Sequence, residues 1–363
     1  MRMSSQWMGQ SFTRRYLTTF ASTLFLAACG SSSIDGTAAA APGNPTAAGG
    51  APAGAALPDI TLQTWTTTAP MPGTPTSYSR AVAVNGQLFV LGGRTLNTGV
   101  GAGQPQLGVL AYDPKADSWA EHEPLPKLID QPNVAGIQGK IYVLGGKDVL
   151  TIFEYDPGTR VWSEKGQRPV AVGIGASAVA VKGDEIFLAG GVVPSATNPR
   201  GARVTDFASY NVRTGAWQTL PTMVEESAYF GAEILGNSLY TFGGSTEQRE
   251  VARPGKTFAF DFTSKLWTEK ALLPLAVSSF ASASVGTRTY IIGGITGATG
   301  RINPETQVYD SVADSWGFTT NLPTPRFALG AVALGGKIYV PGGVQQTGEA
   351  TFDAVPIVEV LSP

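Results

Sequence analysis

Short apolar runs recur along the chain, and six of them end in a pair of glycines. The runs and the pairs that follow them are 88–91 before Gly92-Gly93, 141–144 before Gly145-Gly146, 186–189 before Gly190-Gly191, 239–242 before Gly243-Gly244, 289–292 before Gly293-Gly294 and 338–341 before Gly342-Gly343. The pairs are separated by 53, 45, 53, 50 and 49 residues. A repeat near 50 residues predicts a radial array of four-stranded blades, one blade per repeat.

Each repeat has the same internal order of polar and apolar segments. A strand of small residues leads through a tight turn, such as Asn85-Gly86, into the run that ends in the glycine pair. A third strand then reaches an aromatic residue, and a tryptophan follows seven residues later in five repeats. The distance from the second glycine to that aromatic residue varies between 9 and 19 residues. Constant spacing predicts a packed hairpin, and variable spacing predicts a surface loop that carries specificity.

The two ends of the repeat region complement each other. Segment 358–363 aligns with the third strand of the first repeat and lacks a following tryptophan, whereas segment 60–65 ends in Trp65 without a preceding repeat. Pairing them would complete the last blade and remove a free sheet edge. The sequence therefore predicts an all-β, six-bladed propeller over 60–363, with its ring closed by an N-terminal strand.

The N-terminal region has the composition of a targeting segment. Arg14-Arg15 precede an apolar stretch over 16–28, and Leu26-Ala27-Ala28-Cys29 resembles a bacterial lipobox. We therefore expect a signal peptide over 1–29, lipidation at Cys29 and a flexible tether of Ala, Gly, Pro and Ser over 30–59. The protein would be exported and lipid-anchored, in the periplasm or at the cell surface. Gly30 favours the outer membrane, because an Asp at that place is associated with inner-membrane retention.

The composition limits which kinds of ligand and which kinds of site the chain can have. The 363 residues carry a net charge of -2 with 14% charged residues, so the chain offers no basic surface for nucleic acid. One cysteine and one histidine exclude an internal disulfide and a Cys/His metal cluster. We expect no cofactor, no metal and a monomer. His122 follows a tryptophan in a loop between blades and is interpreted as an ordinary surface histidine.

The glycine pair followed by tyrosine and tryptophan, six times at this period, resembles the kelch repeat, and with the lipobox it resembles the exported kelch lipoproteins of bacteria. Three functional branches of kelch propellers follow from the resemblance. Galactose oxidase-like enzymes need two histidines and a free cysteine for copper chemistry, so the residue inventory excludes them. Sialic acid mutarotases (N-acetylneuraminate epimerases) are exported propellers without metal and give the alternative function. A pure binding propeller gives the leading one.

Candidate residues lie in the segments that enter the first strands and in the loops after the glycine pairs, which open on one face. For ligand binding they are Tyr78, Arg80, Arg94, Gln131, Asn133 and Tyr229. For a mutarotase, Glu226 is the candidate acid/base, and Arg326 or Arg80 is the candidate carboxylate clamp. Further candidates are Lys147, Glu225, Glu247, Arg249 and Arg301. For Arg326 we keep open the alternative that it only ties blades together. No catalytic motif of the mutarotases can be matched residue by residue.

The leading hypothesis is an exported kelch-propeller lipoprotein that binds a carbohydrate or protein partner through loops on one face. Five loops after the glycine pairs are long, and the loop between Gly146 and Tyr155 is short. This short loop predicts a notch in the rim at the second blade, where a ligand would enter or rest.

Overall fold

The structure is a computed structural model that describes residues 63–96, 103–147, 149–170, 173–196, 201–246, 255–296, 300–349 and 351–363. The predicted signal peptide, Cys29, the tether, Glu247 and Arg249 lie outside these residues. Within them the chain forms β-strands, turns and irregular segments. No helix in the described part of the chain is long and apolar enough to cross a lipid bilayer.

The described residues contain 31 strands, numbered in chain order. The first sixteen are β1 Thr64–Thr67, β2 Arg80–Val84, β3 Gln87–Leu91, β4 Val109–Asp113, β5 Ser118–Glu121, β6 Val134–Ile137, β7 Lys140–Gly146, β8 Val149–Asp156, β9 Val161–Gln167, β10 Ala178–Lys182, β11 Glu185–Ala189, β12 Val192–Val193, β13 Ala202–Arg203, β14 Phe207–Asn211, β15 Trp217–Thr219 and β16 Gly231–Leu235. The remainder are β17 Ser238–Phe242, β18 Thr257–Asp261, β19 Trp267–Glu269, β20 Val277–Ser278, β21 Ala281–Val285, β22 Arg288–Ile292, β23 Ile295–Thr296, β24 Arg301–Ile302, β25 Thr306–Asp310, β26 Ser315–Thr319, β27 Val332–Leu334, β28 Lys337–Pro341, β29 Val344–Gln346, β30 Phe352–Ala354 and β31 Val358–Ser362.

Twenty-four of these strands form six antiparallel four-stranded sheets, which we call blades. In order from the inner strand outwards, blade 1 is β2-β3-β4-β5, blade 2 is β6-β7-β8-β9, blade 3 is β10-β11-β14-β15, blade 4 is β16-β17-β18-β19, blade 5 is β21-β22-β25-β26 and blade 6 is β27-β28-β31-β1. The inner strands contact one another in chain order, and β27 also contacts β2. The predicted all-β propeller is confirmed.

The sixth blade joins the two ends of the described chain. Strand β1 pairs antiparallel with β31, with Trp65 opposite Leu361 and Thr64 opposite Ser362. Trp65 thereby takes the place that Trp119 holds in blade 1, where it lies opposite Tyr112. The outer strand of this blade therefore comes from the N-terminal side of the repeats, and its other three strands come from the C-terminal side.

The aromatic residues of the repeat fill the space between blades. Tyr112, Tyr155, Tyr210, Phe260 and Tyr309 are buried, and each packs against the tryptophan seven residues later. Five tryptophans also donate their indole N–H to a backbone carbonyl of the preceding blade: Trp65 to Thr320, Trp119 to Ala69, Trp162 to Glu123, Trp267 to Pro221 and Trp316 to Ala271. The structural role predicted for these rings fits their contacts, because a large apolar ring with one donor suits a buried seam.

The second glycine of each pair lets the segment that enters the inner strand of its own blade approach closely. At Gly191 the backbone φ is +118°, and a Cβ atom would lie 2.6 Å from the carbonyl oxygen of Gly175. A side chain there would strain the backbone and collide with the segment that enters the inner strand. The glycine pairs therefore position the loops that surround the central channel.

Candidate functional site

A central channel of about 490 Å³ runs between the six inner strands. Its walls carry mainly small residues, including Ala81, Ala83 and Gly136 from blades 1 and 2. Small side chains on the inner strands leave this space open where larger ones would fill it. Glu233, on the inner strand of blade 4, is an ionisable residue that lines it.

Six residues with left-handed backbone conformation surround one end of the channel, which we call the mouth. They are Tyr78, Gln131, Ala176, Tyr229, Ser279 and Ala328, with φ between +52° and +56°. Each precedes the first glycine of its pair by 14 residues. All six line a small cavity of about 30 Å³ at the mouth. The repeat therefore brings one residue of every blade to the same place around the channel axis.

Backbone hydrogen bonds explain this unusual conformation. The amide of Tyr78 donates to the carbonyl of Ala328, Ala328 donates to Ser279 and Ser279 donates to Tyr229, at 2.8, 2.8 and 2.9 Å. The amide of Ala176 donates in the same way to Gln131 at 3.2 Å. These bonds, which we call the belt, link neighbouring blades through main-chain atoms. The belt offsets the cost of a positive φ at residues other than glycine.

The side chains on the belt are unequal, and the large ones meet over the axis. Tyr78 and Tyr229 come from blades 1 and 4, which lie opposite each other, and their ring centroids are 5.9 Å apart. Gln131 Nε2 donates to the Tyr229 hydroxyl at 2.8 Å. Alanine or serine occupies the other three positions. Aromatic and amide side chains thus cover one part of the mouth, and small residues border the rest.

The guanidinium groups of Arg80 and Arg203 lie near this cover. Arg80 Nε donates to the carbonyl of Pro132 at 3.0 Å, and burial lowers the pKa of Arg80 below its ordinary value. Burial also raises the pKa of Tyr229, while the bond from Gln131 and the nearby guanidinium groups of Arg203 and Arg80 act in the opposite direction. The Tyr229 hydroxyl is therefore a neutral phenol at physiological pH, able to donate and to accept.

A salt bridge stands at the rim beside the belt. Arg94 Nη1 lies 2.7 Å from Asp130 Oδ2, and Arg94 also donates to the carbonyl of Gly103 through Nε and Nη2. Asp130 directly precedes Gln131, and its carbonyl accepts from the amide of Lys147 at 2.9 Å. The first two glycine-pair loops are thereby tied to the segment that enters blade 2.

Three buried polar atoms near the mouth have no hydrogen-bond partner among the described residues. They are Asp130 Oδ1, Gln131 Oε1 and Arg203 Nε. A buried polar atom without a partner costs about 1 to 3 kcal/mol. Two acceptors and one donor at the same end of the channel are the arrangement expected where a polar ligand supplies the missing partners.

Of the residues predicted for ligand binding, the structure brings Tyr78, Arg80, Gln131 and Tyr229 together and places Arg94 beside them. Asn133 is instead fully buried between blades 2 and 3, where Nδ2 donates to the carbonyl of Ile174 and Oδ1 accepts from the amide of Ser177. These two hydrogen bonds tie blade 2 to the segment that enters blade 3, so the Asn133 side chain contributes to packing.

The candidate catalytic pair is not assembled at the mouth. Arg326 is 0% exposed, and its Nη1 lies 2.7 Å from Glu359 Oε2 while Nη2 donates to the carbonyl of Val340. Glu226 is half-buried in the segment that enters blade 4. A carboxylate ligand could engage Arg326 only after this buried ion pair is broken. The Arg326 side chain instead ties the segment that enters blade 6 to strands β28 and β31 of that same blade, rather than one blade to another.

His122 is less exposed than a surface histidine. Its ring packs edge-on against Phe89 and Tyr155, and Nδ1 lies 2.8 Å from the Tyr155 hydroxyl. Burial is the main cause that lowers its pKa, so the neutral ring is favoured. The imidazole also borders a pocket of about 390 Å³ between segment 71–76 and blade 1.

Sequence reasoning missed two residues of the mouth. Asp130 directly precedes Gln131, which was predicted. Because the segment that enters each inner strand passes the mouth, Gln131 could have led to Asp130. Arg203 lies on β13, in the loop after Gly190-Gly191. Loops of variable length carry no period, so nothing in the repeat marks Arg203.

A set of four-stranded blades around a channel, with the described parts of the irregular loops at one end, defines a β-propeller with a loop-face site. No family model matches the chain. The chain is 32% identical over 305 residues to Kelch-like protein terF of Aspergillus terreus, covering 80% of this chain and 65% of that protein. It is 24% identical over 262 residues to Kelch-like protein 25 of Xenopus tropicalis, covering 69% and 41% respectively.

A third relative, Kelch-like protein 36 of Bos taurus, is 25% identical over 272 residues, which cover 73% of this chain and 43% of the relative. The chain belongs to the kelch-repeat family. It spans 65% of the fungal relative and less than half of these two vertebrate ones.

Proposed function

We propose that this kelch propeller is a binding module that holds a protein partner on its loop face, with the mouth at the centre of the interface. The observation that carries the proposal is the convergence of Tyr78, Arg80, Gln131 and Tyr229 around the axis, next to three buried polar atoms that lack partners. Tyrosine and arginine are the residues that dominate the energetics of protein interfaces.

Exposed apolar side chains on the same face favour a protein over a carbohydrate. Leu128, Val224 and Leu272 lie in the segments that lead from the outer strand of one blade to the inner strand of the next, and Phe352 lies on β30 after the last glycine pair. These four side chains are between 42% and 59% exposed. Together with a polar centre they resemble the composition of a protein interface.

The proposal is tested by placing a charge on the loop face and by removing a side chain at the mouth. Cross-linking and affinity capture from the source organism, quantified by mass spectrometry, would compare the wild-type protein with Val224→Asp and Tyr229→Ala. We expect each variant to lower the recovery of the same partner by at least about tenfold, since interface anchors contribute 2 kcal/mol or more.

Val312→Asp supplies the matched control. Val312 is also an exposed valine, but it lies in the turn between β25 and β26, at the opposite end of the blades. Recovery of the partner should be unchanged in this variant. If Val224→Asp and Val312→Asp have equal effects, the loop face is not the interface. If the wild-type protein binds a glycan array and only Tyr229→Ala abolishes that binding, the partner is a carbohydrate and not a protein.

We also propose that the protein is exported and anchored through a lipid on Cys29. The support is the segment Leu26-Ala27-Ala28-Cys29, which contains the single cysteine of the chain. Growth with labelled palmitate should label the wild-type protein and place it in the membrane fraction. Cys29→Ser should abolish both the label and the sedimentation. Labelled Cys29→Ser protein would refute the anchor.

A further inference from the structure

One tryptophan departs from the indole hydrogen bonds that join the blades. In five blades the tryptophan donates to the carbonyl of the residue four positions after the tryptophan of the preceding blade. By that rule, Trp217 of blade 3 would donate to Gly166. Instead, the Trp217 Nε1 atom is buried and has no hydrogen-bond partner among the described residues.

The short loop of blade 2 explains the missing acceptor. Only residues 147–148 separate β7 from β8, so β8 starts early and spans eight residues. Strand β9 lengthens with it to seven residues, and the pairing shifts register between Ile152 and Phe153. Gly166 thereby lies inside β9 opposite Ile152, whereas its counterpart after Trp119, Glu123, lies beyond the strand. The carbonyl of Gly166 is no longer the acceptor at this seam.

The same seam contains a buried arginine in an apolar position. Six residues after the tryptophan, the other five outer strands are followed by Met71, Leu125, Met223, Leu273 and Leu322. Blade 2 has Arg168 there, and the residue is only 3% exposed. Its guanidinium carbon lies 5.7 Å from the centroid of the Trp217 ring. Arg168 Nε and Nη1 have no hydrogen-bond partner in the described part of the chain.

This arrangement is energetically unfavourable without a ligand. Burial lowers the pKa of Arg168 to about 10, and the charge of Asp206 acts in the opposite direction. None of the salt bridges among the described residues involves Arg168. A buried charge without a partner is strongly destabilising, and an apolar residue in its place is often more stable. The cation–π contact with Trp217 recovers only part of that loss.

We infer that the seam between blades 2 and 3 is an oxyanion-binding site, in which Arg168 Nε, Arg168 Nη1 and Trp217 Nε1 supply three buried donors. Carboxylate and phosphate oxygens are the acceptors that guanidinium groups bind most strongly. The site lies at the blade whose glycine-pair loop is shortest, at a seam distinct from the mouth.

The inference is tested by thermal unfolding of the purified full-length chain. Melting would be followed with sulfate, phosphate, acetate or a short glutamate peptide, each against chloride at equal ionic strength. We expect at least one of these oxyanions to raise the Tm of the wild-type protein. A rise in Tm with phosphate or acetate would indicate that the ligand is a free anion. A rise with the peptide alone would indicate a carboxylate carried by a protein.

Arg168→Leu installs the residue that blades 1, 4 and 5 carry at this place. Without added oxyanion, it should raise the Tm by roughly 2 °C or more, because it removes an unpaired buried charge. It should also abolish the response to oxyanions. Arg213→Leu, which removes an exposed arginine of blade 3, is the control and should keep the wild-type response. The inference is overturned if Arg168→Leu retains the response, if its Tm falls, or if no oxyanion stabilises the wild-type protein.

Discussion

Arg326→Ile is expected to lower the free energy of unfolding by about 3 to 5 kcal/mol, the usual cost of removing one partner of a buried ion pair. Arg326 and Glu359 are 0% and 1% exposed, and Glu359 also accepts from the amide and hydroxyl of Thr324. Isoleucine would leave the Glu359 carboxylate buried with too few donors. Urea denaturation followed by tryptophan fluorescence would measure the change.

A double variant separates the ion pair from the packing. Ile129 and Ile174 precede their glycine pairs by the same 16 residues as Arg326, and Leu110 holds in blade 1 the strand position that Glu359 holds in blade 6. Arg326→Ile with Glu359→Leu therefore gives blade 6 the apolar residues that other blades carry at these two places. We expect this double variant to recover most of the lost stability. If Arg326→Ile alone is as stable as the wild type, the ion pair contributes nothing to the free energy of unfolding.

Glu233→Gln is expected to remove a pH dependence of about 2 kcal/mol between pH 5 and pH 8. Burial in the channel raises the pKa of Glu233 to about 7, and the bond that its carboxyl forms with Ser282 Oγ at 2.8 Å only partly opposes this. A folded pKa of about 7 against an ordinary 4.5 corresponds to about 3 kcal/mol. We expect somewhat less, because a channel of about 490 Å³ admits water.

The sign of the effect follows from proton uptake. Between pH 4.5 and pH 7 the folded protein holds the Glu233 proton more tightly than the unfolded chain does. The contribution is therefore full below about pH 4.5, and it is lost as the pH rises through about 7. The stability of the wild type should fall relative to Glu233→Gln over this range. Glu164→Gln changes an exposed carboxyl of β9 and should leave the profile unchanged. Parallel profiles for wild type and Glu233→Gln would contradict the raised pKa.

The repeat made much of the propeller predictable from sequence. A constant spacing of seven residues between the aromatic residue and the tryptophan fixes which residues lie opposite each other. A shift of one position would move every side chain of the strand to the opposite face of the sheet. The same regularity brought Tyr78, Gln131 and Tyr229 to the axis, since each lies 14 residues before its glycine pair.

What the repeat could not predict is the direction of a side chain within an entry segment. Gln131 and Asn133 are two residues apart, yet one lines the mouth and the other packs between blades. Arg326 was a candidate for the same reason, and its partner Glu359 is 33 residues away on β31. The unpaired indole of Trp217 depends on a register shift in the blade next to it. Such tertiary contacts leave no local pattern in the sequence.

The belt has a consequence for how kelch propellers of this kind diversify. Its hydrogen bonds use main-chain atoms, so the six residues that form it can be exchanged without altering the course of the backbone. Tyr78, Gln131 and Tyr229 could be replaced in evolution one at a time, and Ala176, Ser279 and Ala328 mark places where a larger side chain could be added. The β-branched residues Val, Ile and Thr are the exception, since they tolerate a positive φ poorly. The ring can therefore acquire a new ligand while keeping its old architecture.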